Sequence, residues 1–202
     1  LGVDSSVKNI TRCWDKIRAS TSATNRLFLV QVEGRKSGSL ALLAGLTSGA
    51  DFILTPDTPV DYFDEIVKKM TDKNVSKKQS LAVISAGWRP GIDKLASILE
   101  EKSKEIGSDL VVRKTILGYV QRGGSPSGYD RLIGTEMGSM AVKELKSGNS
   151  GVMIAIQKNG FTTVPFEDCL QKTKELDERL LNLFDFTKWI KNDFDFFFLS
   201  ID

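Results

Sequence analysis

The segment Lys114–Gly148, KTILGYVQRGGSPSGYDRLIGTEMGSMAVKELKSG, decides how this chain is read. "KTILGYV" is β-rich, "QRGG" is a turn, and Ser127 and Asp130 are spaced as a capping box at the start of a helix. Ile133, Met137, Met140 and Leu145 then recur at helical spacing, and Gly148 is the expected stop. The same layout occurs earlier, where "LFLVQV" (27–32) runs into "EGRKSG" and then "SLALLAGLTSGA". Further β-rich runs are "DFIL" (51–54), "SLAVIS" (80–85) and "GVMIAIQ" (151–157), with amphipathic stretches near 39–48, 61–73, 92–106 and 128–147. Strand and helix in alternation imply an α/β fold with a parallel sheet covered on both faces. The aromatics of "FDFTKWIKNDFDFFFLSID" follow no helical or alternating period.

In open sheets of this kind ligands collect at the carboxyl ends of strands, beside helix N-termini. Two turns that each hold glycine and arginine fit a phosphorylated ligand, since glycine admits an anion to the backbone and guanidinium matches phosphate oxygens. The plainer reading is that the glycines serve the turns and the arginines face solvent. Neither turn matches G-x-x-x-x-G-K-S/T, and the chain holds no G-x-G-x-x-G.

Composition narrows the chemistry. The 202 residues carry 28 Lys and Arg against 26 Asp and Glu, a formal charge of +2, so no strong field draws the chain to nucleic acid or to an acidic membrane. Two cysteines make no disulfide framework, no signal peptide is visible, and no apolar run reaches the roughly 18 residues of a membrane helix, so a cytoplasmic protein is expected. There is no histidine, which excludes imidazole bases, Ser-His and Cys-His pairs and Cys/His zinc sites within this chain.

"LGYVQRGGSPSGYDR" resembles the signature of the 6-phosphofructokinases, close to L-G-H-x-Q-R-G-G-x-P-S-x-x-D-R. "LGVDSSVKNITRCWDKIR" is similar to the family's segment after its catalytic loop, "VEGRKSGSLALLAGLTSGADFILTPD" to its M-G-R-x-x-G-x-L-A segment, and "VRKTILG" to its T-R-x-T-x-L-G strand. The resemblance implies a parallel-sheet α/β sandwich of the phosphofructokinase type, incomplete, with a sugar-phosphate half over 1–185 and an unmatched tail over 186–202. It implies that Arg26, Gly34, Arg35, Arg113 and Arg122 bind fructose 6-phosphate, with Arg26 and Arg113 reaching in from a neighbouring subunit of a homo-oligomer. Three positions depart from the pattern: Glu33 stands for methionine, Ala86 for glutamate and Tyr119 for histidine. Glu33 beside a dianion repels it unless Lys36 or an arginine neutralises the charge. Tyr119 retains one hydrogen-bond donor. The triple change Glu33→Met, Ala86→Glu and Tyr119→His is expected to strengthen binding by restoring the family's contacts.

An effector site for a nucleotide or phosphoenolpyruvate is implied at Arg18, Gly49, Asp51 and Lys77, with Gly49 and Asp51 beside a magnesium ion and Val75 replacing a basic residue. The plainer roles are a solvated helix face for Arg18, a strand start for Asp51 and a loop charge for Lys77. The family's nucleotide loops and its T-I-D-x-D catalytic loop precede the matching region, so no catalytic residue is expected within this chain, ATP and Mg2+ are expected to bind mostly outside it, and the chain alone is expected to be inactive. Asp4, Asp15 and Asp130 read as capping or surface groups. Two functions remain open: part of an ATP-dependent 6-phosphofructokinase of glycolysis, a phosphotransferase, or a catalytically degenerate regulatory, effector-binding subunit of that kind.

Overall fold

The computed structural model describes residues 1–20, 25–60, 63–71, 79–157, 160–171 and 176–185. Four strands, β1 (Arg26–Val32), β2 (Phe52–Leu54), β3 (Gln79–Ser85) and β4 (Val111–Ile116), form one parallel sheet in the order β2-β3-β1-β4. Its centre is β1, which pairs Phe28 with Leu81 on one side and with Arg113 on the other.

Alternation along β1 and β3 divides the core into two layers. Leu27, Leu29, Ala82 and Ile84 face α3 (Phe63–Thr71) and α4 (Ile92–Glu105), where Val67, Met70, Leu95, Leu99 and Trp88 are buried against them. Phe28, Val30, Val32, Leu81 and Val83 face α1 (Val3–Ala19) and α2 (Ser39–Ser48) through Ile10, Trp14, Ala41 and Ala44. Trp14 meets Phe28 edge to face at 5.4 Å between ring centres. Ile92, Leu95, Ala96, Leu99 and Ser103 give α4 one buried stripe, whereas α2 is apolar all round and lies between sheet and neighbouring helix with small residues Ala41, Ala44 and Gly45 inward.

The sandwich agrees with the sequence expectation, and α2 and α4 fall where the periodicity puts them. Three details differ. The fourth strand begins at Val111 and ends at Ile116; Gly118–Arg122 is a 3-10 turn rather than strand, because Gly118 takes φ 52° and turns the chain out of the sheet. The run at 151–157 does not join the parallel sheet. As β5 (Val152–Gln157) it pairs antiparallel with β6 (Gly160–Pro165), a strand not expected from the sequence, because a β-branched run two residues downstream offers a hairpin partner without a crossover. In α5 (Gly128–Lys146) only Ile133 is buried; Leu145 is exposed, since the stripe Ile133, Met137, Met140 continues at the half-buried Glu144. The stop is as expected, with the Gly148 and Asn149 amides donating to Leu145 O and Glu144 O.

Helix α1 was absent from the amphipathic stretches read in the sequence, and its N-terminus explains Asp130. Ser127 Oγ accepts from Asp130 N, which is half of the capping box. The carboxylate does not return to its own helix. It accepts from Gly2 N, Ser5 N and Ser5 Oγ at 2.8, 2.8 and 2.6 Å, and Ser5 Oγ in turn accepts from Ser127 N. Asp130 thus caps α1 from the first turn of α5. These bonds, led by the Ser5 hydroxyl, hold its carboxyl below the usual carboxylate range. A depressed folded pKa means a contribution fully present above the unfolded value near 3.9 and lost as pH falls through the folded value. Asp130→Ala is therefore expected to cost about 1 kcal/mol at pH 7, the usual worth of a cap, and progressively less below pH 4. Urea unfolding of both proteins at pH 7 and pH 3 checks this; an equal difference at both values contradicts it.

Among the described residues no helix is long and apolar enough to cross a membrane. The tail 186–202 lies outside the described residues.

Candidate functional site

Three chain segments meet at the carboxyl end of the sheet: 33–37 after β1, 86–88 after β3, and 117–124 after β4. The first two are knitted by backbone bonds, Ala86 N to Val32 O at 2.8 Å and Gly87 N to Gly34 O at 3.1 Å, with Ser85 Oγ donating to Gly34 O. The fit leaves no room for side chains at two glycines. A Cβ on Gly87 would lie 2.1 Å from Arg35 O, and Gly34, at φ 129°, would bring one within 2.5 Å of Ser37 O.

The third segment is held by Gln121, which is 1% exposed. Its Oε1 accepts from Glu33 N at 3.0 Å and its Nε2 donates to Gly118 O at 2.7 Å. One buried amide therefore ties the end of β1 to the turn after β4. From the other side Asn9 of α1 donates through Nδ2 to Gly123 O, fixing the glycine pair. The turn is thus shaped by buried or half-buried side chains, and Arg122 and Tyr119 project from it.

Arg122 Nη2 lies 2.9 Å from Glu33 Oε2. Its guanidinium carbon sits 5.4 Å from the centre of the Tyr119 ring, a cation–π contact on a side chain that is itself 81% exposed. The neutralising partner expected for Glu33 is therefore Arg122. Arg35 is exposed at the same end and pairs with no carboxylate among the described residues. Below the turn a cleft of about 440 Å³ runs between Gly2, Ser5, Arg122, Gly123, Gly124 and Asp130.

The structure brings Glu33, Gly34, Arg35, Ala86, Tyr119 and Arg122 to one end of the sheet. It does not bring Arg26 or Arg113 there. Arg26 opens β1 and Arg113 stands level with Phe28. Six residues of strand at ~3.3 Å each put Arg26 about 20 Å below the end of β1. Arg18, in the last turn of α1, Gly49, the C-cap of α2, and Asp51, before β2, also belong to that lower end. Asp51 bridges to β3, donating from its amide to Leu81 O and accepting Leu81 N on Oδ2, each within 2.9 Å. Its strand-start role is thus accounted for by geometry. Lys77 and Val75 lie outside the described residues.

Sequence reasoning missed Gln121, Ser85 and Asn9 as positioning residues. Only the polar Gln121 within a turn that must be buried gave any signal. For a metal, no group of three or more His, Cys, Asp or Glu side chains clusters among the described residues.

A family model described as Phosphofructokinase matches residues 1–145. A curated relative from Thermotoga neapolitana, named ATP-dependent 6-phosphofructokinase, is 36% identical over 183 residues, covering 91% of this chain and 56% of its own. One of the same name from Persephonella marina is 38% identical over 180 residues, covering 88% and 54%. The chain spans about half the length of the curated relatives it matches. Among solved structures, the phosphofructokinase of Pichia pastoris in the T-state superposes with a TM-score of 0.72 at 30% identity, over 93% of this chain and 22% of that one. Phosphofructokinase from Saccharomyces cerevisiae gives 0.68 at 27% identity, over 83% and 23%.

Proposed function

This chain belongs to the phosphofructokinase family, and from that premise we propose that it is the sugar-phosphate-binding part of an ATP-dependent 6-phosphofructokinase, an enzyme that moves the γ-phosphoryl group of ATP to O1 of fructose 6-phosphate and releases ADP and fructose 1,6-bisphosphate. The observation that carries this reading is the meeting of Arg35, on the turn after β1, with Tyr119 and Arg122, on the turn after β4, at one end of a parallel sheet. The relatives' names support the kinase reading over a regulatory subunit.

In this reading the chain's contribution is to bind and orient. Arg122 and Arg35 donate charge-assisted hydrogen bonds to the 6-phosphate, each worth roughly 1.5 to 3 kcal/mol, and the Tyr119 hydroxyl adds a neutral one. Holding the phosphate fixes the far end of the sugar, so that its O1 is presented at a constant distance, the usual service of a positioning clamp. Arg26, about 20 Å away along its strand, and Arg113, about 10 Å below the end of β4, act for the site of a second copy, which makes a homo-oligomer part of the proposal. Arg18, Gly49, Asp51 and Lys77 form, in the same reading, an effector site for a nucleotide or phosphoenolpyruvate at the opposite end. Magnesium, when bound with ATP, neutralises charge on the phosphates. Among the described residues no group of three or more His, Cys, Asp or Glu side chains clusters, and a magnesium ion beside Gly49 and Asp51 belongs to the same effector-site proposal.

Calorimetry with fructose 6-phosphate and with fructose tests the reading. Because the phosphate supplies the charge, the sugar phosphate is expected to bind more tightly and to weaken as salt rises. Equal binding of the two sugars contradicts it.

A further inference from the structure

We propose that Glu33 is a specificity-determining residue, an internal carboxylate that competes with the ligand's anionic group for Arg122. The inference rests on reading the turn as a phosphosugar site. Of the two arginines read as phosphate donors, Arg35 has no carboxylate partner among the described residues, whereas Arg122 is occupied: one edge of its guanidinium meets Glu33 at 2.9 Å and one face lies over Tyr119. The pairing is built rather than accidental. Gln121 accepts from the Glu33 amide and is the residue next to Arg122, so the buried strut that shapes the turn also sets Glu33 within reach of the guanidinium.

An incoming anion therefore meets a donor already paired and a negative charge beside it. A phosphate carrying two charges can displace a carboxylate carrying one, because its attraction to the guanidinium is the greater; a sugar carboxylate gains nothing by the exchange, and a neutral sugar does not compete. The pair is displaceable because it is wet, with Arg122 59% and Glu33 29% exposed, and ion pairs of that kind are weak. Glu33 thus lowers affinity for every anion and lowers it most, in relative terms, for those too weakly charged to evict it.

Calorimetric titration of the full chain with fructose 6-phosphate tests this in four proteins: wild type, Glu33→Gln, Arg122→Ala and the double variant. Glutamine keeps the backbone amide bonded to Gln121 and almost the same shape, so the unfolding midpoint is expected to stay in place. Glu33→Gln is expected to tighten binding about twofold to fivefold, the worth of a wet ion pair, and in the Arg122→Ala background the same change is expected to have no resolvable effect. No tightening by Glu33→Gln overturns the inference, as does an equal gain without Arg122, which would mark plain repulsion. If neither wild type nor Glu33→Gln binds the sugar phosphate, the phosphosugar reading falls and the inference with it; equal binding by the two overturns the inference alone.

Discussion

Arg122→Ala is expected to weaken fructose 6-phosphate binding by roughly tenfold to a hundredfold, the equivalent of one charge-assisted hydrogen bond, with the unfolding midpoint unchanged. The guanidinium is lost as a donor, and the Glu33 carboxylate, which acts by holding that guanidinium, loses its influence on binding with it. The fold should not notice, because Arg122 is well exposed and its pair and ring contacts are both of the weak surface kind. Binding isotherms beside thermal melts separate the outcomes: a normal melt with intact binding removes Arg122 from the site, and a collapsed melt makes it structural.

Gln121→Leu should do the reverse, with a loss of about 2 to 5 kcal/mol of stability. Leucine fills nearly the same volume, so no cavity term enters. What is lost is the pairing of two backbone groups, Glu33 N–H and Gly118 C=O, half-buried against a side chain that is 1% exposed. Each buried group left unpaired costs about 1 to 3 kcal/mol. Since whole domains are stable by only about 5 to 15 kcal/mol, this one side chain is a large share of the total. Urea unfolding measures it, and a change below about 0.5 kcal/mol would show that the strut is dispensable.

Much of this architecture is legible in the chain because it is local. The strand at 27–32 and the helices at 39–48, 92–106 and 128–147 announce themselves through period and caps, and the observed α2, α4 and α5 follow those bounds closely. The fourth strand lies earlier than its composition suggests, because "GYV" is β-rich while Gly118 decides the backbone there. The pairing of β5 with β6 is not legible in the chain, because "FTTV" looks unremarkable until its partner strand is beside it. The site is harder still. Glu33 meets Arg122, and Asp130 meets Gly2 and Ser5, across separations that no local pattern reports. That Arg26 and Arg113 lie away from the turn that carries Arg122 likewise follows from register, Arg26 opposite Val111 and Phe28 opposite Arg113, and not from their spacing in the chain.

Amide and arginine side-chain NMR spectra recorded during titration with fructose 6-phosphate, with fructose as the control, locate the ligand directly. The expected result is movement of Gly34, Arg35, Tyr119, Arg122, Gly123 and Gly124, with the Arg122 Nε resonance among the largest and fructose leaving all of them in place. Shifts confined to Arg18, Gly49 and Asp51 at the other end of the sheet, with the turn after β4 unmoved, would contradict the assignment of that turn as the phosphosugar site.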